Sequence, residues 1–244
     1  MKLVFSDFDG TITYNDELTV HFHDILKLLK GHGVPLVICT GRSKSWAHFL
    51  LSHFFDLTHV ISEGGGTLSS VTVDGLGRRH LSDRLLVPEE EADRLEKIAQ
   101  ELVQKFPLRL SVDSFGRHTD RAIELSDLND NPSLDKEVRA FLKENEVNFS
   151  TSNVHLNFWC GEISKMKAIN TFLSEYGPQE LEETLFFGDS LNDQSVFRDH
   201  PKSVGVANIA KVLDVIEHRP AVILTGEENE GPLGVLNYLK SLLK

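Results

Sequence analysis

Apolar residues along this chain follow two rhythms. Short continuous runs end abruptly at glycine and polar residues, as in strands buried on both faces of a parallel sheet. Such runs lie at Leu3–Phe5, Val34–Cys39, Val60–Ile61, Thr184–Phe187, Ser203–Val206 and Ala221–Ile223. Between them the apolar positions recur at helical spacing. Leu18, Phe22, Ile25, Leu26, Leu28 and Leu29 predict a helix within Asp16–Lys30, ended by Gly31 and Gly33. Trp46, Phe49, Leu50 and Phe54 predict the next helix, and Met166, Ile169, Phe172 and Leu173 a later one. A short amphipathic helix closes the chain over Gly231–Lys244. This alternation predicts an α/β fold, a doubly wound, Rossmann-like parallel sheet.

Near residue 82 the pattern changes. Pro88 stands at a predicted first helical position, with Glu89, Glu90 and Glu91 in the first turn. Ala92, Leu95, Ile98, Ala99, Leu102, Val103 and Phe106 then share one helical face, ended by Pro107. Leu108, Leu110 and Val112 alternate with Arg109, Ser111 and Asp113, as in a half-buried strand. After the turn Ser114-Phe115-Gly116, a strand carries Ile123 and Leu125. Asn131-Pro132-Ser133 opens a helix with Leu134, Val138, Phe141 and Leu142. Val147 and Phe149 alternate with Asn148 and Ser150. After Thr151-Ser152-Asn153, Val154, Leu156 and Phe158 alternate with His155, Asn157 and Trp159. The order αββαββ predicts an inserted α+β module over residues 82–159, between core segments 1–81 and 160–244. Its antiparallel sheet has one helix-covered face, holding Leu110, Val112, Val154, Leu156 and Phe158. Its other face holds Arg109, Ser111, Asn148, Ser150, His155 and Asn157.

Composition narrows the function. The chain has 244 residues, 40% of them hydrophobic, enough for a sizeable core and too many for a disordered chain. Lys+Arg 25 against Asp+Glu 37 gives a net charge of −12, without the basic face that nucleic acid requires. A phosphorylated substrate would need positive charge supplied locally. The only cysteines, Cys39 and Cys160, are too few for a disulfide framework and fit a reducing, cytoplasmic compartment. No signal peptide precedes the first strand, and no run approaches the ~18 apolar residues of a membrane helix. His21 and His23 face different sides of a helix, and no histidine pair has the spacing of a zinc helix motif.

The candidate chemistry sits where apolar runs stop. Asp7 and Asp9 follow the first strand and precede Gly10, which frees the backbone to bend. Two acids at the end of a buried strand call for a cationic partner, and Mg²⁺ suits them through its preference for carboxylate and phosphate oxygens. A solvated acidic turn is the plainer alternative. Thr40-Gly41-Arg42 lies between a strand and a helix, where free N–H groups and the helix dipole favour an anion; Ser43 is also an ordinary N-cap candidate. Glycines at Gly64, Gly65 and Gly66 imply tight backbone geometry or close approach to a ligand. Lys165 opens a helix where the dipole disfavours a cation, so it is either beside an anion or a solvated surface lysine. Gly188-Asp189-Ser190-Leu191-Asn192-Asp193 repeats the logic of the first strand, although Ser190 and Asp193 also fit a helix cap.

In order and spacing, Asp7-Phe8-Asp9-Gly10-Thr11, Thr40-Gly41-Arg42, Ser164-Lys165 and Gly188-Asp189-Ser190-Leu191-Asn192-Asp193 resemble the four motifs of the haloacid-dehalogenase-like phosphatase superfamily. The inserted module looks like the cap of its Cof-type branch and of sucrose-, trehalose- and mannosyl-phosphoglycerate-phosphatase-like members. The resemblance spans nearly the whole chain. One departure is Glu63-Gly64-Gly65, where many relatives have Glu-Asn-Gly with a substrate-touching asparagine.

The resemblance implies a Mg²⁺-dependent phosphatase acting on a small phosphorylated metabolite, a sugar phosphate or related phosphorylated acid. By the same resemblance, Asp7 is the nucleophile and Asp9 the general acid and base. Thr40, the Gly41 N–H and Lys165 bind phosphate. Asp7, the Asp9 carbonyl and Asp189 hold the metal, and Asn192 and Asp193 order its surroundings. Arg109 and His155 are the cap candidates for substrate contact. A phosphomannomutase-like enzyme shares the fold and nucleophile, but relatives of that kind lack Thr-Gly-Arg. A dehalogenase would not need the acid at Asp9. A non-catalytic phosphosugar-binding module is the alternative of a different class.

Overall fold

The computed structural model describes residues 1–151, 155–178 and 180–243. The expectations for Ser152, Asn153 and Val154 therefore fall outside the described residues.

Strand β1 (Leu3–Ser6) is buried along its whole length, as a continuous apolar run predicts. Helix α1 (Val20–Gly31) leads to β2 (Leu36–Cys39), α2 (Lys44–His53) and β3 (His59–Ser62). Helix α2 stops one residue before Phe54, which nevertheless packs against the core. An antiparallel hairpin follows, β4 (Thr67–Val73) and β5 (Arg79–Leu85), and it extends the same sheet. The boundary expected after residue 81 thus falls inside β5, because cross-strand pairing runs on from Thr67↔Leu85 to Val73↔Arg79.

The inserted region begins with α3 (Glu89–Lys105), for which Pro88 is the N-cap and not the first helical residue. Residues 108–113, expected as a strand, make a single bridge, Leu110↔Ile123. Leu108 and Leu110 do pack into the apolar cluster, but Val112 is 91% exposed instead of facing the helices, and Ser111 is buried instead of open. Tertiary contacts of residues 113–119 with the core override the alternation here. Strand β6 (Arg121–Glu124) ends where α4 (Leu125–Asn129) begins, so Leu125 is helical. After α5 (Pro132–Glu144), capped by the Asn131 side chain, come β7 (Asn148–Thr151) and β8 (His155–Trp159). The inserted sheet has three strands in the order β6-β8-β7. Leu156 and Phe158 are buried against α3 and α5, whereas His155, Asn157 and Trp159 are half-buried on the other face.

The chain then returns to the large sheet through α6 (Lys165–Tyr176), β9 (Thr184–Gly188), α7 (Gln194–Asp199), β10 (Ser203–Gly205), β11 (Val222–Ile223) and α8 (Gly231–Leu242). The eight strands are ordered β11-β10-β9-β1-β2-β3-β4-β5, parallel from β11 through β3. Helices cover both faces. Val4 joins residues of α1, α2 and α8, while Leu3 and Phe5 join Met166, Ile169 and Phe172 of α6 and Phe197 of α7. The doubly wound α/β core is therefore as its apolar rhythm predicts. Cys39 and Cys160 are both buried and unpaired. Among the described residues, no helix is long and apolar enough to cross a membrane.

Candidate active site

Strands β9, β1 and β2 lie side by side and point the same way, so their C-terminal ends meet. The register Ser6↔Phe187 and the bond from Asp7 N to Phe187 O (2.8 Å) set Asp7 beside Gly188 and close to Asp189. The turn after Asp7 is tight. Ile12 N and Thr13 N both donate to Phe8 O, and Gly10 adopts φ +77°. A side chain at Gly10 would collide with the Asp189 carboxylate, which is why glycine is needed there.

Lys165, the first residue of α6, is 1% exposed and not a surface lysine. Its Nζ donates to Asp7 Oδ1 (2.5 Å), Asp193 Oδ1 (2.7 Å) and Asn192 Oδ1 (3.1 Å). Gly65, at φ +112°, passes so close to the Ser164 carbonyl that a Cβ would clash with it, and Gly66 lies equally close to Thr119. Gly65 thus lets the backbone seat the start of α6, and Gly66 leaves room for the Thr119 side chain. Asp193 closes a capping box with Ser190, its Oδ2 accepting from Asp189 N (3.0 Å) and Ser190 N (3.2 Å). It is thus both a cap and a partner of the site lysine.

Asp7, Asp189 and Asp193 bring carboxylate oxygens within 4.8 Å of one another. Burial, then the charges of Asp193 and Asp189, push Asp7 well above the usual carboxylate range, against the pull of Lys165. Burial and Asp193 likewise push Asp189 up to about 7. Burial pulls Lys165 down, but Asp193 and Asp7 outweigh it and hold the ammonium above its ordinary value. Asp7 and Asp193 share the Lys165 ammonium; among the described residues Asp189 has none, and Asp7 Oδ2 is buried with no hydrogen-bond partner. That donor set fits a hard divalent cation: crowded carboxylates that resist ionising without added positive charge, oxygen ligands and an orphaned oxygen.

Asp9 is placed differently. Its carboxylate is 39% exposed and is forked by Arg42, with Nε–O distances of 2.8 and 2.9 Å and Nη2–Oδ1 of 2.5 Å. The guanidinium lies 4.2 Å from the Trp46 ring centroid and 5.6 Å from that of Phe8. Thr40 is buried beside these groups, and its hydroxyl accepts from Arg42 N (3.0 Å). Ser43 occupies the N-cap of α2, but its hydroxyl bonds to Ser45 and does not cap the helix.

Several contacts were not anticipated from the sequence. Arg42 lies in the Thr40-Gly41-Arg42 motif, but its grip on Asp9 across 33 residues has no local signal. Thr11 Oγ1 donates to Asp189 Oδ1 (3.1 Å), and Asn208 Nδ2 donates to Asp189 Oδ2 (2.6 Å) and Gly10 O (2.9 Å). Asn208 had no local signal, since only the fold brings it there. Glu63 is buried, and Arg117 reaches Gly41 from the inserted region. The two cap candidates pair with carboxylates of the inserted region: Arg109, 84% exposed, stands 3.4 Å from Asp127, and His155 stands 3.3 Å from Glu124.

Comparison with known proteins adds a family and relatives. The family described as haloacid dehalogenase-like hydrolase matches residues 4–75 and 80–231. A phosphoglycolate phosphatase of Methanobrevibacter smithii is 24% identical over 203 residues, covering 83% of this chain and 84% of that protein. A glucosyl-3-phosphoglycerate/mannosyl-3-phosphoglycerate phosphatase of Methanococcoides burtonii is 22% identical, covering 99% of this chain and 97% of that protein. The crystal structure of Thermoplasma acidophilum 0175 superposes with a TM-score of 0.75 at 18% identity, covering 100% of this chain and 99% of that one.

Proposed function

This chain belongs to the haloacid dehalogenase-like hydrolase family, and on that premise we propose that it is a Mg²⁺-dependent phosphatase working through an aspartyl-phosphate on Asp7. It is a phosphoric monoester hydrolase. Its substrate is a small phosphorylated metabolite, a sugar phosphate or a related phosphorylated acid, in keeping with the relatives' substrates. The observation that carries the mechanism is the buried, partnerless Asp7 Oδ2 inside a cluster of carboxylates that one lysine does not neutralise.

An Asp7 oxygen attacks phosphorus in line, and the bond from phosphorus to the leaving oxygen breaks. Asp9 gives that oxygen a proton, because an alkoxide leaves poorly. Asp9 then takes a proton from the water that attacks phosphorus, and the bond from phosphorus to Asp7 breaks. Arg42, stacked on Trp46, fixes the direction of the Asp9 carboxylate. The Thr40 hydroxyl, the Gly41 N–H and Lys165 bind the non-bridging oxygens, where transition-state charge lies. Mg²⁺ would be held by Asp7, the Asp9 carbonyl and Asp189, with Asn192 and Asp193 ordering its surroundings, and would supply charge that lowers the repulsion between Asp7 and a phosphate dianion. We assign residues 1–81 and 160–244 to the catalytic core and 82–159 to the cap, with β5 running across the first boundary. The unpaired cysteines suit a cytoplasmic setting.

A panel of phosphorylated metabolites assayed with Mg²⁺ for free phosphate tests the reading. Release of phosphate from a subset supports it. Conversion to an isomeric sugar phosphate without release would favour a mutase, and inertness toward every ester would favour a binding module.

A further inference from the structure

Resting on the phosphatase reading, the turn Thr40-Gly41-Arg42 is the phosphate cradle, and its backbone acceptors can be accounted for completely. Thr40 O accepts from Gly64 N (3.0 Å), and Arg42 O accepts from Glu63 N (2.9 Å). Only Gly41 O takes its donor from the inserted region, Arg117 Nη1 at 3.2 Å. That carbonyl shares one rigid peptide plane with the Arg42 N–H. The Arg42 N–H donates to the Thr40 hydroxyl (3.0 Å), leaving the hydroxyl's own proton for another acceptor. A glycine flanks this plane, so the chain itself does little to fix its orientation.

Arg117 is well built for the task. Its side chain is 4% exposed and is held by Asp113 at 3.0 Å and Asp120 at 2.7 Å. The same segment is fastened a second time through Glu63. Glu63 Oε2 accepts from His118 N (2.9 Å) and Thr119 Oγ1 (2.8 Å), while Oε1 accepts from Lys44 N (3.1 Å) at the start of α2.

We propose that Arg117 is a positioning residue for phosphate: by gripping Gly41 O it orients the Gly41–Arg42 peptide, and through it the Thr40 hydroxyl. The inserted region then contributes to binding the group common to all substrates, and not only to choosing among leaving groups.

The test compares wild type, Arg117→Lys and the double variant Arg117→Met/Asp120→Asn. The double variant removes both members of the most buried pair, while Asp113, 24% exposed, keeps its bond from Ser111 Oγ and reaches solvent. Inorganic phosphate affinity is measured by calorimetry in Mg²⁺, and kcat and KM are measured on p-nitrophenyl phosphate and on the best sugar phosphate. The double variant should weaken inorganic phosphate about tenfold, the scale of one hydrogen bond from a charged donor. KM should rise by the same factor on both esters, while kcat falls less than about threefold. Arg117→Lys, which keeps the charge but loses the fork, should fall between the two. A folded double variant with unchanged phosphate affinity overturns the proposal. So does a loss confined to the sugar phosphate, which would make Arg117 a leaving-group contact. If the double variant does not fold, Arg117→Lys decides by the same affinity. A wild type that binds inorganic phosphate but hydrolyses nothing removes the phosphatase reading and leaves Arg117 to be judged on affinity; one that binds no phosphate overturns both.

Discussion

The ends of β9, β1 and β2 and the open face of the cap sheet both present polar side chains, yet they are held very differently. At the strand ends Asp7, Asp193 and Lys165 are at most 2% exposed, with each strand bonded to a neighbour on both sides. On the cap sheet Asn148 and Ser150 are exposed and His155 and Asn157 are half-buried, and only the opposite face is packed. A backbone pinned on two edges and two faces fixes where its last residue points, and a buried charge there cannot be moved without a large penalty. A one-faced sheet tolerates exchange on its free side. On the proposed function this difference separates duties: the bond-making groups sit at the strand ends, and discrimination between leaving groups falls to the open face of the inserted sheet.

Substitutions should respect that division. On the proposed mechanism Asp7→Asn removes the nucleophile with little change of shape, so turnover should vanish on every phosphate ester while the melting temperature stays close to wild type. Activity within about tenfold of wild type, a barrier change of about 1.4 kcal/mol, would break the assignment. Chelation should remove activity reversibly, and Asp189→Ala should reduce it at least about a hundredfold on all esters alike, a barrier increase of about 2.7 kcal/mol. Full activity in chelator would contradict the metal site. Cap substitutions should behave otherwise. Arg109→Ala and His155→Ala are expected to lower kcat/KM about tenfold on the best substrate and hardly at all on p-nitrophenyl phosphate, since a generic ester offers the cap nothing to grip. Equal losses on both would remove these residues from the cap's selecting face.

An effect on stability alone, with none on turnover at neutral pH, lies at the far end of β9. There His200 is buried, bonded to Thr184 Oγ1 (2.8 Å) through Nε2 and accepting from Lys202 N (3.1 Å) at Nδ1. Burial lowers its pKa to about 4 from 6.5. The folded state therefore refuses a proton that the unfolded chain accepts. Stability should be full above about pH 6.5 and decline as the pH falls toward 4, by at most about 1.4 kcal/mol per pH unit for a single proton. Melting curves across that window should be flatter for His200→Gln, with kcat at neutral pH unchanged. An equal slope in both proteins would place the acid sensitivity in other groups.

The contrast also explains what could be read in the sequence. β1, β2 and β9 are buried on both faces, so they appear as unbroken apolar runs whose ends are conspicuous, and Asp7, Thr40 and Asp189 stand at those ends. The β4–β5 hairpin escaped notice because its strands are largely polar or exposed, although Asp74-Gly75 is a hairpin signal. Leu108, Leu110 and Val112 mimic a strand, but the loop that follows is bonded to Glu63 and Gly41, and Val112 ends up in solvent. Lys165 could be read as a surface residue because one helix start looks like another until Asp7 and Asp193 are brought to it. Asn208 and Arg117 act only across long sequence separations, where local pattern carries no information.

The most direct test of the account is to look for phosphate on the nucleophile. Enzyme mixed with substrate and Mg²⁺, quenched in acid within a turnover and digested, should yield a peptide containing Asp7 that carries one added phosphoryl mass. The modification should be labile to hydroxylamine and missing in Asp7→Asn. Steady turnover with the phosphoryl group found on a different residue, or on no peptide at any quench time, would contradict it.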